Sequence, residues 1–462
     1  MAYTTINDPS KYFQTLLYTG NATGRSLTNT GNSDLQPDWV WIKERSSTSA
    51  HKVLDSNRGV GKSLGTNTTD GEESYAFLSS FDSDGFTIGT SDGSTNASGD
   101  TYVAWNWKAG GTTPTKTYKV VVVSDSGNKY RFRNSGDTAT YAASAVTLDL
   151  QEGGTYIFDQ SDSSNSGHPL RFYTASDKSG GEYTTGVTTS GTAGNAGAFT
   201  QITVAASAPT LYYQCSSHAG MGGQVNTNST HGQTNFDGSI LSVSQENTTA
   251  GFSIVTYTGT GSATTVGHGL GATPKLVIVK ERGNTNSWLV QSNLFSSTNF
   301  VTFLNRSDTG GENDSTTFNG TFPTSSVFSV GTHTGTNRSS GTYVAYCFAN
   351  IKGYSKIGTY KGNNSADAPF IYTGFKPAWF LAKDLGSGNA WLILDNKRDD
   401  VNPVDLCLLA DNSAAESDEP DQADFLSNGI KLRANNSDAR QSNNDGNTYI
   451  YMAFAEHPFV SR

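Results

Sequence analysis

Apolar and polar residues alternate over short stretches of this chain, and the same stretches recur at a spacing near one hundred residues. Period-two alternation predicts β-strands, and self-similarity at a fixed spacing predicts structural repeats. Each copy opens with an aromatic strand that ends in a Tyr and a small loop. These tyrosines are Tyr18, Tyr257 and Tyr360.

Two further landmarks keep the same register in all three copies. An apolar strand begins after a Pro and ends on a Lys, at Lys43, Lys280 and Lys383. Each copy then closes with an alternating strand, TYVAWNWKA, TYVAYCFAN or TYIYMAFAE. The alternation predicts one buried and one exposed face for the closing strand, and we expect the three lysines to be solvated strand ends.

The chain is therefore predicted to be all-β, with three related β-sandwich repeats of seven or eight short strands each. The repeats are expected at residues 1–114, 247–353 and 354–462, and a different β-rich segment at 115–246 is predicted to be a separate compact insert. One tryptophan of each alternating pair is expected to face the core and the other the surface. The pairs are Trp39 with Trp41 and Trp105 with Trp107.

Composition removes several classes of function. The formal net charge of -10 leaves no electrostatic footprint for nucleic acid or anionic lipid, and no apolar run is long enough to span a bilayer. The first residues lack a secretory signal, and three widely separated cysteines make no disulfide framework, so we expect synthesis in a reducing cytoplasm. Two G-x-S-x-G matches lack the strand and helix of a nucleophile elbow, which favours a protein that is not an enzyme.

The insert carries the most specific chemical pattern of the chain. Cys215, His218 and Met221 follow the spacing C-x-x-H-x-x-M, and His168 lies upstream. A thiolate, two imidazoles and a thioether are the ligands of type 1 copper sites. With three Cys, seven His and three Met in 462 residues, chance produces this spacing about three times in ten thousand chains of this composition. The other five histidines are expected at the surface or in turns.

The insert resembles the cupredoxins in the order and spacing of these residues. A strand that delivers Cys215, then a short loop bearing His218 and Met221, is how that family closes its copper site. His168 opens the sequence HPLRF, which is similar to the family's strand that starts with a ligand His. The resemblance implies His168, Cys215 and His218 in the trigonal plane and Met221 in the axial position. Pro169 departs from the Asn common at that place, and the alternative is a cupredoxin-like fold that carries no metal.

The whole chain resembles a family of marine bacteriophage virion proteins. The similarity lies in the opening MAYTTINDPSKYFQTLLYTG, in QPDWVWIK, SFDSDGFTIG and VGHGLGATPKLVIVK, in ITVAASAPTLYYQCSSHAGMGG and in the closing YIYMAFAEHPFV. It implies a structural protein on the virion surface, as a tail fibre, a spike or a head decoration. Other virion proteins and a host-surface glycan or receptor would be its partners, and the subunit would be a homo-oligomer, with a trimer expected.

Three functions follow from the sequence. The first is a structural, host-contacting virion protein; the second is a copper-binding redox module; the third is a lectin-like adhesin whose exposed aromatic residues bind host polysaccharide.

Overall fold

The computed structural model describes residues 4–90, 92–110, 113–228, 231–308, 310–433 and 442–458. The protein is nearly all β and is built of mostly antiparallel sheets, as the sequence predicts. The described residues form three short helical turns, at Pro9–Lys11, Ser163–Asn165 and Thr334–Asn337. No helix in these ranges is long and apolar enough to cross a membrane.

The first repeat contains a six-stranded sheet of order β1-β9-β3-β4-β5-β6 and a three-stranded sheet of order β2-β8-β7. Its strands are β1 (Phe13–Thr19), β2 (Arg25–Leu27), β3 (Trp39–Glu44), β4 (Lys52–Asp55), β5 (Lys62–Leu64), β6 (Glu73–Ser74), β7 (Leu78–Asp82), β8 (Gly85–Ile88) and β9 (Thr101–Trp107).

The insert is a sandwich of a five-stranded sheet, β11-β10-β13-β16-β15, and a four-stranded sheet, β12-β18-β17-β14. Its strands are β10 (Thr115–Ser124), β11 (Asn128–Phe132), β12 (Leu148–Gln151), β13 (Thr155–Asp159), β14 (Leu170–Tyr173), β15 (Val187–Ser190), β16 (Phe199–Thr203), β17 (Leu211–Cys215) and β18 (Gln224–Asn228). Apolar residues of both sheets meet in a core of their own.

The second repeat has an eight-stranded sheet, β19-β20-β21-β28-β23-β24-β25-β26, and a two-stranded sheet, β22-β27. Its strands are β19 (Gln233–Asn235), β20 (Ser242–Asn247), β21 (Phe252–Thr258), β22 (Thr264–Gly267), β23 (Leu276–Glu281), β24 (Leu289–Gln291), β25 (Phe300–Phe303), β26 (Glu312–Asn313), β27 (Val327–Val330) and β28 (Thr342–Phe348).

The third repeat forms one eight-stranded sheet of order β29-β36-β31-β32-β33-β34-β35-β30. Its strands are β29 (Ser355–Lys361), β30 (Phe370–Tyr372), β31 (Phe375–Asp384), β32 (Leu392–Asp395), β33 (Val404–Leu409), β34 (Ser417–Leu426), β35 (Gly429–Leu432) and β36 (Thr448–Pro458).

One strand order is common to the three repeats. In each repeat the opening strand pairs with the closing strand. The closing strand also pairs with the strand that ends at Lys43, Lys280 or Lys383, and three more strands follow in chain order. The orders are β1-β9-β3-β4-β5-β6, β21-β28-β23-β24-β25-β26 and β29-β36-β31-β32-β33-β34. The landmarks that recur in the sequence therefore occupy equivalent positions in three copies of one topology.

The boundary expected at residue 246 is wrong, and so is the expectation of a wholly separate insert. β20 pairs along its length with β21, and β19 pairs with β20, so both strands extend the sheet of the second repeat. They also touch the insert, because the Tyr118 hydroxyl donates to the carbonyl of Thr234 at 2.9 Å. The polar sequence of β19 and β20 gives no sign of which sheet they join.

Both faces of the main sheet of each repeat are buried. The expectation that the closing strand has one exposed face is therefore wrong. In β3 the side chains of Trp39 and Trp41 enter a core shared by all three repeats, whereas Val40 and Ile42 face the repeat's own core. Residues two apart on a strand share one face, so neither tryptophan of a pair is at the surface. Trp39, Trp41, Trp105 and Trp107 all have relative exposures of 1% or less.

The three strand-terminating lysines are also buried and not solvated. Lys43, Lys280 and Lys383 each have 0% relative exposure, and their ammonium groups donate to backbone carbonyls. Burial lowers the pKa of each of the three to about 8. The Lys280 ammonium reaches the carbonyl of Thr69 in the first repeat, and the Lys383 ammonium reaches that of Arg306 in the second, so these two side chains contribute to the contacts between repeats.

The contacts between repeats run in one cyclic sense. The residue eight positions after each of these lysines donates a ring N–H to a carbonyl of a neighbouring repeat. His51 reaches Leu409, Trp288 reaches Gly65 and Trp391 reaches Phe303, at 2.9, 2.7 and 2.8 Å. The first repeat thus contacts the third, the second contacts the first and the third contacts the second. Of the five histidines expected at the surface or in turns, His51 and His268 lie between strands but are buried.

Candidate metal centre

The two segments that carry the predicted ligands meet at one end of the insert. β14 begins two residues after His168 and pairs antiparallel with β17, so that Leu170 lies opposite Cys215. The Ser216 amide also donates to the carbonyl of Pro169 at 3.0 Å. This register places the residue before β14 beside the residues after β17, which is the convergence that the sequence pattern predicts.

Three donor atoms come together there. Nδ1 of His168 lies 3.1 Å from Nδ1 of His218, and the Cys215 sulfur lies 3.8 Å from the former and 3.5 Å from the latter. The sulfur is fully buried, His168 is half-buried and His218 is exposed. The cluster therefore opens to solvent through His218.

These separations fit a trigonal metal site. Metal–nitrogen bonds of about 2.0 Å and a metal–sulfur bond of about 2.3 Å place the nitrogens about 3.5 Å apart and each about 3.7 Å from the sulfur. The three measured distances lie within about 0.4 Å of that triangle. His168, Cys215 and His218 thus fit a single ion without rearrangement of the backbone.

Met221, predicted as the axial ligand, lies at the end of the same loop. Its side chain is 1% exposed and belongs to the insert's core cluster together with Cys215. Its carbonyl accepts a hydrogen bond from the Tyr130 amide at 2.8 Å. The loop from Cys215 to Met221 is therefore anchored at both ends by the sandwich.

His168 is held by buried polar side chains. The Tyr130 hydroxyl and the Gln160 amide donate to the His168 carbonyl at 2.8 and 3.0 Å, and the Asn128 side chain lies 3.2 Å from Nε2. Burial, and then the nearby His218 ring, lower the pKa of His168. The lowered pKa favours the neutral imidazole, which is the form that binds a metal ion.

Two lysines and a glutamine fix the ligand loop. The Lys178 ammonium donates to the carbonyls of Cys215 and Ser216, each at 3.2 Å, and the Lys129 ammonium donates to the carbonyl of Gly220. The Gln214 side chain exchanges two hydrogen bonds with the backbone of Gly222. These contacts hold a loop that is rich in small residues, and none of them needs a metal.

A family model described as "Domain of unknown function (DUF7483)" matches residues 8–207 and 225–458. The chain belongs to this family. The two matched ranges contain all three repeats and His168, but leave out 208–224, where Cys215, His218 and Met221 lie. The family model thus describes the scaffold and not the ligand loop. No curated protein and no solved structure matches the chain.

The sequence pattern does not identify the residues that hold the ligands in place. Tyr130 and Gln160 lie 38 and 8 positions before His168, and Lys178 lies 37 before Cys215. Ordinary strand and loop residues at such separations carry no spacing signal. Only the pairing of the sheets brings them to the site.

Proposed function

We propose that the insert is a cupredoxin-like copper-binding module. The observation that carries the proposal is the triangle of His168 Nδ1, His218 Nδ1 and Cys215 Sγ, with sides of 3.1, 3.5 and 3.8 Å. One thiolate and two imidazoles in such a triangle, with a thioether from the same loop, form the donor set of type 1 copper. His168, Cys215 and His218 would hold the ion, and Met221 would be the axial donor.

The donor set favours copper over zinc. Zinc takes a Cys and two His when a water or a fourth strong ligand completes a tetrahedron, whereas a weak thioether suits copper. Met221, which is buried in the same core as Cys215, could supply only such a weak thioether as a fourth ligand. Bound copper would supply one-electron chemistry. The chain itself orients the imidazoles, keeps the sulfur away from water and leaves His218 exposed as the route to the ion.

Titration of the purified chain with Cu(II) tests this proposal. We expect an intense visible absorption that saturates at one equivalent and is absent from Cys215→Ser, because the band arises from the thiolate. Met221→Leu should keep a band and change its position. No visible band in the wild-type chain, or an equal band in Cys215→Ser, would contradict the proposal.

The three repeats support a second, structural role, and we propose that the chain is a surface protein of a phage virion. Two observations support this role. The sequence resembles such proteins over its full length, and the three repeats are arranged cyclically around one shared core. That arrangement makes a rigid body from a single chain, which suits a particle component. Because cytosolic thiols compete for Cu(I), the site would fill after release from the host cell.

Labelling of intact particles tests the structural role. Antibodies raised against the purified chain should decorate gradient-purified particles of the phage that encodes it, and the labelled position separates a tail fibre, a spike and a head decoration. Label confined to the particle-free lysate would contradict the role. The mass of the purified chain in solution tests the expected trimer separately.

The lectin-like alternative now depends on exposed tyrosine and phenylalanine side chains, two of which lie side by side in the third repeat. All seven tryptophans are buried, so none is free to stack on a sugar. Phe370 and Tyr372 are 44% and 54% exposed and lie two apart on the terminal strand β30, hence on one face. Loss of glycan-array binding in the Phe370→Ala and Tyr372→Ala double variant would support this activity, whereas no binding by the wild-type chain would remove it.

A further inference from the structure

One strand, β11, contacts the metal centre through three successive residues. The first three residues of β11 each contact a different part of it: Asn128 lies beside the ring of His168, and the Lys129 ammonium binds the carbonyl of Gly220. The third residue, Tyr130, has 0% relative exposure. Three consecutive contacts make β11 the element against which the ligands are placed.

Tyr130 touches two of the four predicted ligands. Its hydroxyl donates to the His168 carbonyl at 2.8 Å, and its amide donates to the Met221 carbonyl at 2.8 Å. Through its side chain and its own backbone, Tyr130 therefore links the segment before β14 with the end of the ligand loop.

The residue that follows His168 cannot take this part. Pro169 has no N–H, and the amide of Leu170 is already bonded to the Gln160 side chain at 2.9 Å. The backbone of these two residues thus offers no free donor to the ligand loop, and the link is left to Tyr130.

We propose that Tyr130 is the positioning residue of this metal centre, and that its hydroxyl and amide set the position of His168 relative to the ligand loop. The proposal rests on the copper-binding function proposed above. Outer-sphere groups of this kind orient the ligands and change the electronic properties of the bound metal.

Tyr130→Phe removes the hydroxyl and keeps the ring and the backbone bond to Met221. We expect Cu(II) to bind about 10- to 100-fold more weakly, and the visible absorption maximum to move, because the contact that holds the carbonyl of His168 is lost. Affinity is measured by competition with a chelator of known strength. The spectrum is a readout that loss of stability alone would not shift.

Tyr118→Phe is the matched control. Its hydroxyl is buried in the same core and also donates to a backbone carbonyl, that of Thr234 at 2.9 Å, away from the cluster. The control should lose comparable stability and keep the wild-type spectrum and affinity. A wild-type chain without a copper band would defeat the copper-binding function itself. A wild-type band that Tyr130→Phe leaves unchanged in position and affinity would overturn only the role of Tyr130, and so would an equal shift in Tyr118→Phe.

Discussion

The interface between the third and first repeats and the ligand cluster of the insert both bring polar side chains together, but they differ in how charge is compensated. Between the third and first repeats, Arg398 binds Asp395 at 2.5 Å and Glu416 at 2.9 Å, and Arg45 binds the same Glu416 at 2.7 Å. In the insert, two histidines and a cysteine face one another, and no carboxylate ligand joins their cluster among the described residues. A closed ion cluster indicates a structural contact, whereas converging donors indicate a site for a ligand.

The interfaces between repeats show that the ion clusters are structural. The second and first repeats have an equivalent cluster, in which Glu72 accepts from Arg58 and Arg282 at 3.1 and 2.8 Å. Between the third and second repeats, the positions of the two arginines are held by Phe295 and Leu385, which pack against the shared core. An apolar set thus takes the place of the ion cluster, as expected when all members are exchanged together.

The largest effect is expected from breaking one ion cluster. Arg398→Leu would leave Asp395 without its partner at 0% exposure, so the free energy of unfolding should fall by about 3–5 kcal/mol. Urea denaturation of the full chain measures the change. Arg306→Leu is the control, because that arginine pairs with the exposed Asp308 and should change stability by about 1 kcal/mol or less. Equal losses in the two variants would contradict a structural role specific to the buried cluster.

A smaller effect is expected from pH, through His51. The indole N–H of Trp41 donates to Nδ1 of His51 at 2.8 Å, so Nε2 carries the proton donated to Leu409. Burial first, and then the charge of Lys43, lower the pKa of His51 to about 3. The unfolded chain therefore binds a proton that the folded chain does not. The stability contribution is complete above about pH 6.5 and is lost as pH falls towards 3.

The comparison of wild type with His51→Gln isolates this contribution. Glutamine can accept a hydrogen bond from Trp41 and donate one to Leu409 but does not titrate. The free energy of unfolding of the variant, measured with urea, should therefore fall less steeply between pH 6.5 and 4 than that of the wild type. The difference in slope should approach about 1.4 kcal/mol per pH unit. Parallel curves would show that His51 is not held neutral by its burial.

The smallest effect on stability is expected at the metal centre itself. Cys215→Ser should change the free energy of unfolding in metal-free buffer by about 1 kcal/mol, because the loop is held by Lys178, Gln214 and Tyr130 and not by a metal. A chelator should likewise leave the wild-type chain folded. A loss of several kcal/mol in this variant would make the cluster a structural staple.

The sequence predicts the local and periodic features well. Alternation and repeated landmarks predict the all-β class and three copies of one topology, and the spacing of Cys215, His218 and Met221 predicts which loop meets His168. Both depend on short segments whose side-chain directions follow from strand geometry.

Features that depend on packing between repeats escape this reasoning. Lys43 and His51 look like surface residues because a polar side chain after an apolar strand is usually solvated, yet a neighbouring repeat covers both. The exchange of two arginines for Phe295 and Leu385 has meaning only when the cyclic contact is known. Tyr130 likewise reaches the metal centre only through sheet pairing.

X-ray absorption at the copper edge, on the full chain loaded with one equivalent of Cu(II), measures directly whether His168, Cys215 and His218 hold copper. We predict one sulfur at about 2.3 Å and two nitrogens at about 2.0 Å around the ion, with the sulfur absent in Cys215→Ser. Copper surrounded by nitrogen and oxygen alone in the wild-type chain would contradict this prediction.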